Sequence, residues 1–104
     1  SFPILLGWWA GENTKNRHLW PGISVGRDTG VATVNETLNQ IMITRGMIPD
    51  SKGVIHWSLS SVIRNTNLSK ALLNGPYKNE ALVPASDWLD KTPPVAPSVV
   101  ADQP

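Results

Sequence analysis

Val54-Ile55-His56-Trp57-Ser58-Leu59-Ser60 alternates apolar and polar side chains with the period of two that a half-buried strand requires. Ile55, Trp57 and Leu59 fall on one face, His56, Ser58 and Ser60 on the other. Immediately before it, Pro49-Asp50-Ser51-Lys52-Gly53 carries turn chemistry. Further back, Val34, Leu38, Ile41, Met42 and Arg45 recur at helical spacing ahead of Gly46, a natural C-terminal cap. Thr33-Val34-Asn35-Glu36 has the spacing of a capping box, so the helix is predicted over 34–45. Before this helix, Arg17-His18-Leu19-Trp20-Pro21-Gly22 introduces a strand predicted over 18–23, followed by a turn-rich loop over 24–32 that contains Gly26-Arg27-Asp28-Thr29-Gly30. A strand-helix-strand unit of this length favours parallel pairing through a right-handed crossover.

Two further helices flank that unit. The first is predicted over 3–10, with Pro3 at its first position, Gly11 at its end and Ile4, Leu5, Trp8 and Trp9 as its apolar surface. The second is predicted over 68–74, capped by Asn67 and stopped by Gly75-Pro76. Residues 81–90 show no period, and Lys91-Thr92-Pro93-Pro94-Val95-Ala96-Pro97 reads as an extended linker. The expected fold class is α/β: a helix-strand-helix-strand-helix fragment around one parallel strand pair. Parallel sheets are normally covered on both faces, so two strands with three helices leave faces and edges that something further must cover.

Composition narrows the function classes. Nine Lys and Arg against eight Asp and Glu give a net charge of +1, with the basic residues scattered, which is not the footprint of a nucleic-acid binder. No apolar run approaches the ~18 residues of a membrane span, and Ser1-Phe2-Pro3 lacks the basic start of a signal peptide. The absence of cysteine removes disulfides, thiolate ligands and cysteine nucleophiles together. Asn35-Glu36-Thr37 and Asn67-Leu68-Ser69 match the glycosylation sequon, but both are expected at helix starts, where capping is the natural role. The glycines at 22, 26 and 30 do not form a phosphate loop, and Ser58 and Ser60 lack a nucleophile elbow. His18 and His56 without a third ligand do not make a metal site, and no cofactor is expected.

Four stretches, Ile4-Leu5-Leu6-Gly7-Trp8-Trp9-Ala10, Arg17-His18-Leu19-Trp20-Pro21-Gly22, Gly53-Val54-Ile55-His56-Trp57-Ser58, and Ala81-Leu82-Val83-Pro84 with Trp88-Leu89-Asp90, together resemble the bacterial glycosyl-hydrolase-like proteins related to family-ten glycosidases. Their catalytic domain is an eight-stranded (β/α) barrel. The resemblance implies that the first stretch is the helix after the sixth barrel strand, the second the seventh strand and its exit, the third the eighth strand, and the fourth the closing segment. Residues 1–90 would then form the last quarter of a TIM barrel, and 91–104 a linker toward a following module. It also implies a bacterial protein that is periplasmic, cell-surface or secreted, with catalytic carboxylates upstream of residue 1.

Glycoside hydrolysis uses two facing carboxyl groups, and no such pair is evident on the strand ends here. Asp28 and Glu12 are expected as solvated loop acids, and Asp87 and Asp90 as surface or turn residues. The candidate substrate-binding residues are Arg17, His18, Trp20, His56 and Ser58. Within a strand His18 and Trp20 share a face: directed into a lumen they stack on and donate to a sugar, directed outward they pack as core. His56 and Ser58 share the polar face of the second strand and need partners there, whether a ligand or each other. Trp57 points oppositely and is expected to pack under a helix. The expected function is a glycoside-hydrolase fragment that supplies substrate-binding walls and lacks the catalytic acids. The alternative is a non-catalytic carbohydrate-binding or protein-interaction module that self-associates. Carbohydrate is the expected ligand, and the partner is either the rest of the parent barrel or a second copy through strand edges.

Overall fold

A computed structural model of the chain describes residues 1–26 and 30–102. Helix α1 spans Phe2–Glu12, with Pro3 in the first turn, where its missing N–H is not needed. Gly11 lies inside this helix, and Asn13 is its C-cap. Strand β1 is Gly22–Ser24, shorter and later than the strand expected over 18–23. The residues before it are committed elsewhere: the Ser51 hydroxyl accepts from the Leu19 N–H at 2.7 Å and donates to the Leu19 carbonyl at 3.0 Å. Pro21 has no N–H to offer a ladder.

Helix α2 spans Val31–Met47 and begins a turn earlier than its sequence signal. Gly30 is the N-cap, so Thr33 lies within the first turn and the expected capping box does not form; the Glu36 carboxylate accepts instead from the Gln40 amide at 3.0 Å. Gly46 is absorbed into the helix, which stops at Ile48, the residue that Pro49 biases away from helical backbone. A 3-10 turn, Pro49–Ser51, leads into strand β2, Ile55–Trp57. Leu59, expected to end the strand, instead opens a short helix α3, Leu59–Arg64. Helix α4 spans Thr66–Asn74, and its cap is Asn65 rather than Asn67: the Asn65 Oδ1 accepts from the Leu68 N–H at 3.0 Å. Asn35 and Asn67 both lie inside helices and cap neither.

As the sequence predicts, the strands pair in parallel, with Gly22 opposite Ile55, Ile23 opposite His56 and Ser24 opposite Trp57. Register places Ile23 and His56 on one face. That face is the covered one, since Ile23 is buried with Val25, Val34, Ile41, Leu68 and Leu72 beneath α2 and α4. Two threonines join this interface because each satisfies its own hydroxyl within α2: Thr37 donates to the Thr33 carbonyl at 3.1 Å and Thr44 to the Gln40 carbonyl at 2.8 Å.

The opposite face of the sheet is bare. Ile55 is 51% exposed and Trp57 75%. Ile4, Leu5, Trp8 and Trp9 of α1 also stand exposed, and Leu6 alone of that helix is buried. The accessible surface is 8384 Å² for an 11.3 kDa chain, whereas a folded monomer of that mass exposes about 5,700 Å². The radius of gyration is 17.8 Å, against about 13 Å for a compact domain of this length. Residues from Asn79 onward contribute to both values, running without helix or strand and largely exposed.

Candidate functional site

The candidate residues divide between the two ends and two faces of the sheet. Arg17, His18 and Trp20 precede β1 and lie at its N-terminal end, not at a strand exit. His18 stacks on Trp20 with ring centroids 5.4 Å apart and planes 9° from parallel, and meets Trp88 of the tail edge-on at 4.8 Å. The Arg17 guanidinium lies 4.7 Å from the Trp88 ring centroid, a cation–π distance. Trp20 in turn lies across the backbone of Gly53: a Cβ there would sit 2.8 Å from the indole Cδ1. Only glycine admits that approach.

His56 occupies the helix-covered face. Its Nε2 shares a hydrogen bond of 2.6 Å with the Tyr77 hydroxyl, just beyond α4. Arg45, in the last turn of α2, donates to the Pro76 carbonyl at 2.9 Å, and its guanidinium stands 6.0 Å from the Tyr77 ring centroid. Burial pushes the His56 imidazole below its ordinary pKa. Burial also raises the Tyr77 phenol, with the Arg45 charge opposing that rise. Both groups are therefore held neutral around pH 7. This is a latch between strand and tail, directed away from the bare face.

Ser58 follows β2 at the C-terminal end of the sheet and is the N-cap residue of α3. Its hydroxyl is 3.0 Å from that of Ser60 and 3.5 Å from that of Ser61. The peptide bond between Trp57 and Ser58 is cis. Trp57 itself is on the bare face, in register with Ser24, instead of under a helix. Alternation divides a strand into two faces without saying which one the helices cover, and here α2 and α4 take the Ile23 and His56 side. Trp57 is thus the aromatic residue that the sequence pattern assigned to packing and the tertiary arrangement leaves exposed.

Asp28 lies outside the described residues. Glu12 closes α1, and Asp90 accepts from the Thr92 N–H at 2.8 Å in a tail turn. Among the described residues no group of three His, Asp or Glu side chains is placed to hold a metal ion, and no helix is long and apolar enough to cross a membrane.

No protein-family model matches the chain, and no solved structure matches it. Among curated proteins it is similar to "Glycosyl hydrolase YngK" of Bacillus subtilis (strain 168), at 32% identity over 107 residues. The similarity takes in 95% of this chain but 21% of that protein, so the chain spans about a fifth of the length of the curated relative it matches. The sequence is therefore related, over nearly its whole length, to part of a glycosyl-hydrolase-like protein.

Proposed function

We propose that this chain is the C-terminal part of a family-ten-like (β/α) barrel in a glycoside hydrolase acting on a polysaccharide or glycan, and that it contributes a substrate-binding wall without the catalytic acids. The observation that carries this is the bare face of the parallel sheet, which presents Trp57, 75% exposed, at the C-terminal end of β2, followed in the chain by the hydroxyl cluster of Ser58, Ser60 and Ser61. An indole face with adjacent hydroxyls suits a pyranose ring, whose C–H surface stacks while its hydroxyls exchange hydrogen bonds. Parallel strands ordinarily have both faces covered, which supports further barrel strands as neighbours of β1 and β2. Ser58 keeps its place in this proposal and Trp57 joins it, whereas His56 acts indirectly by fixing β2 to the tail. Residues 91–104 serve as a linker toward a following module, and the parent is periplasmic, cell-surface or secreted in a bacterium.

The test is titration of the chain with neutral oligosaccharides while following tryptophan fluorescence. A saturable change is expected, lost in Trp57→Ala and weakened several-fold in Ser58→Ala, with no release of reducing ends by the chain alone. Binding that survives Trp57→Ala would overturn the assignment of this wall. A self-associating, non-catalytic carbohydrate module is the second reading, favoured by the same bare face and by strands that pair only with each other among the described residues. Light scattering that shows a concentration-dependent dimer with sugar affinity retained would select it.

A further inference from the structure

At the opposite end of the sheet from Trp57 and Ser58, a cleft of about 530 Å³ opens between the loop before β1 and the tail. Lys15, Arg17 and Lys91 line it together with Asp50, Asp87 and Trp88. Three cations thus share one cleft with two carboxylates. Yet none of the five is in an ion pair among the described residues, and Arg17 alone has a ring contact, with Trp88. Exposed ion pairs gain little, so charges that line a concavity without pairing there stay available to a ligand.

The backbone that carries Arg17 is fixed in advance. Asn13 clamps it twice, its Nδ2 donating to the Arg17 carbonyl at 2.7 Å and its Oδ1 accepting from the Arg17 N–H at 3.0 Å. Asn16 between them holds a left-handed φ of 49°, which asparagine tolerates better than most residues. From the tail, Trp88 is positioned by His18, edge-on, and by the Arg17 guanidinium, and remains 38% exposed.

We propose that this cleft binds an anionic saccharide, a sugar ring bearing a carboxylate or a phosphate. The cations suit the oxyanion, Arg17 with a fork that can grip two of its oxygens. Asp50 and Asp87 suit the hydroxyls, which donate to carboxylates, and a bare inorganic anion would have no use for them. The exposed part of Trp88 gives the ring an apolar surface. This site is spatially separate from the wall at Trp57 and stands or falls independently of it.

The test is fluorescence titration of the chain with four probes: glucuronate, glucose 6-phosphate, glucose and inorganic phosphate. Glucuronate or glucose 6-phosphate should bind saturably and at least about tenfold more tightly than either glucose or inorganic phosphate, and the stronger of the two identifies the oxyanion. Arg17→Gln should weaken that binding about tenfold, the usual size of one lost charge-assisted hydrogen bond. Lys91→Gln, on the exposed tail, should weaken it several-fold with the circular dichroism spectrum unchanged. Raising the salt concentration should weaken it as well, while Trp57→Ala should leave it intact. Equal affinity for glucose and glucuronate, equal affinity for inorganic phosphate and glucuronate, or no saturation by any probe would each overturn the proposal.

Discussion

His56 and Tyr77 set the pH behaviour of this molecule at the scale of single residues. Their 2.6 Å hydrogen bond joins two groups that burial keeps neutral, the imidazole shifted down and the phenol shifted up. A histidine whose folded pKa lies below its unfolded value of 6.5 contributes stability that is fully present above that value and is lost as pH falls through the folded pKa. For Tyr77 the sign reverses: its contribution is fully present below the unfolded value of 10.0 and is lost as pH rises through the raised folded pKa. The latch is therefore strongest between the two unfolded values. The difference in melting temperature between wild type and His56→Gln should be largest near neutral pH and shrink on acidification, and a difference independent of pH would contradict the latch. His56 was legible in the sequence as a polar strand residue needing a partner. Tyr77, 21 positions away, was not, because strand alternation says nothing about a partner that far along the chain.

At the scale of elements, the helical periods held, as did Pro3 at the start of α1 and Gly75 at the end of α4, while the expected side-chain N-caps failed. Helices α1, α2 and α4 and strand β2 lie close to where the pattern put them, whereas β1 overlaps only the end of its expected range. Thr33 and Asn67 match the cap preferences well, yet the chain caps its helices at Gly30 and Asn65. A capping motif specifies compatible chemistry at a helix start, but where the turn begins depends on what the first turn packs against. Asn65 is buried and its Oδ1 satisfies the Leu68 N–H, so Asn65→Ala should destabilise α4 and the core it carries by about 0.5–2 kcal/mol. Asn67→Ala, on an exposed position, should fall within about 0.5 kcal/mol of wild type. Chemical denaturation of the two variants separates them, and equal losses would restore Asn67 as the cap. Helix α3 escaped the sequence because Leu59 continues the alternation of β2 so well that no boundary is visible.

At the scale of the whole molecule, the buried core is small and the apolar exposure large. Ile23, Ile41, Leu68 and Leu72 close one side of the sheet, while Trp57, Ile55 and the tryptophans of α1 face outward. Exposed apolar side chains in this number mark surface suited to contact. The chain alone should bind the dye ANS strongly and unfold with low cooperativity. Weak dye binding by the isolated chain would mean that its apolar face is covered from within.

By itself the sequence determined that the chain makes one parallel strand pair with interleaved helices, because the periods of two and 3.6 and the length of the crossover leave little freedom in element type or pairing direction. It also carried the kinship with glycosyl-hydrolase-like proteins. Only the tertiary structure decided which sheet face the helices cover, and so that His56 turns inward and Trp57 outward. It likewise decided that Arg17, His18 and Trp20 stand at the entrance of β1 with Trp88, far along the chain, closing over them. Periodicity is local and symmetric between the two faces of a strand, and that symmetry is broken by long-range packing alone.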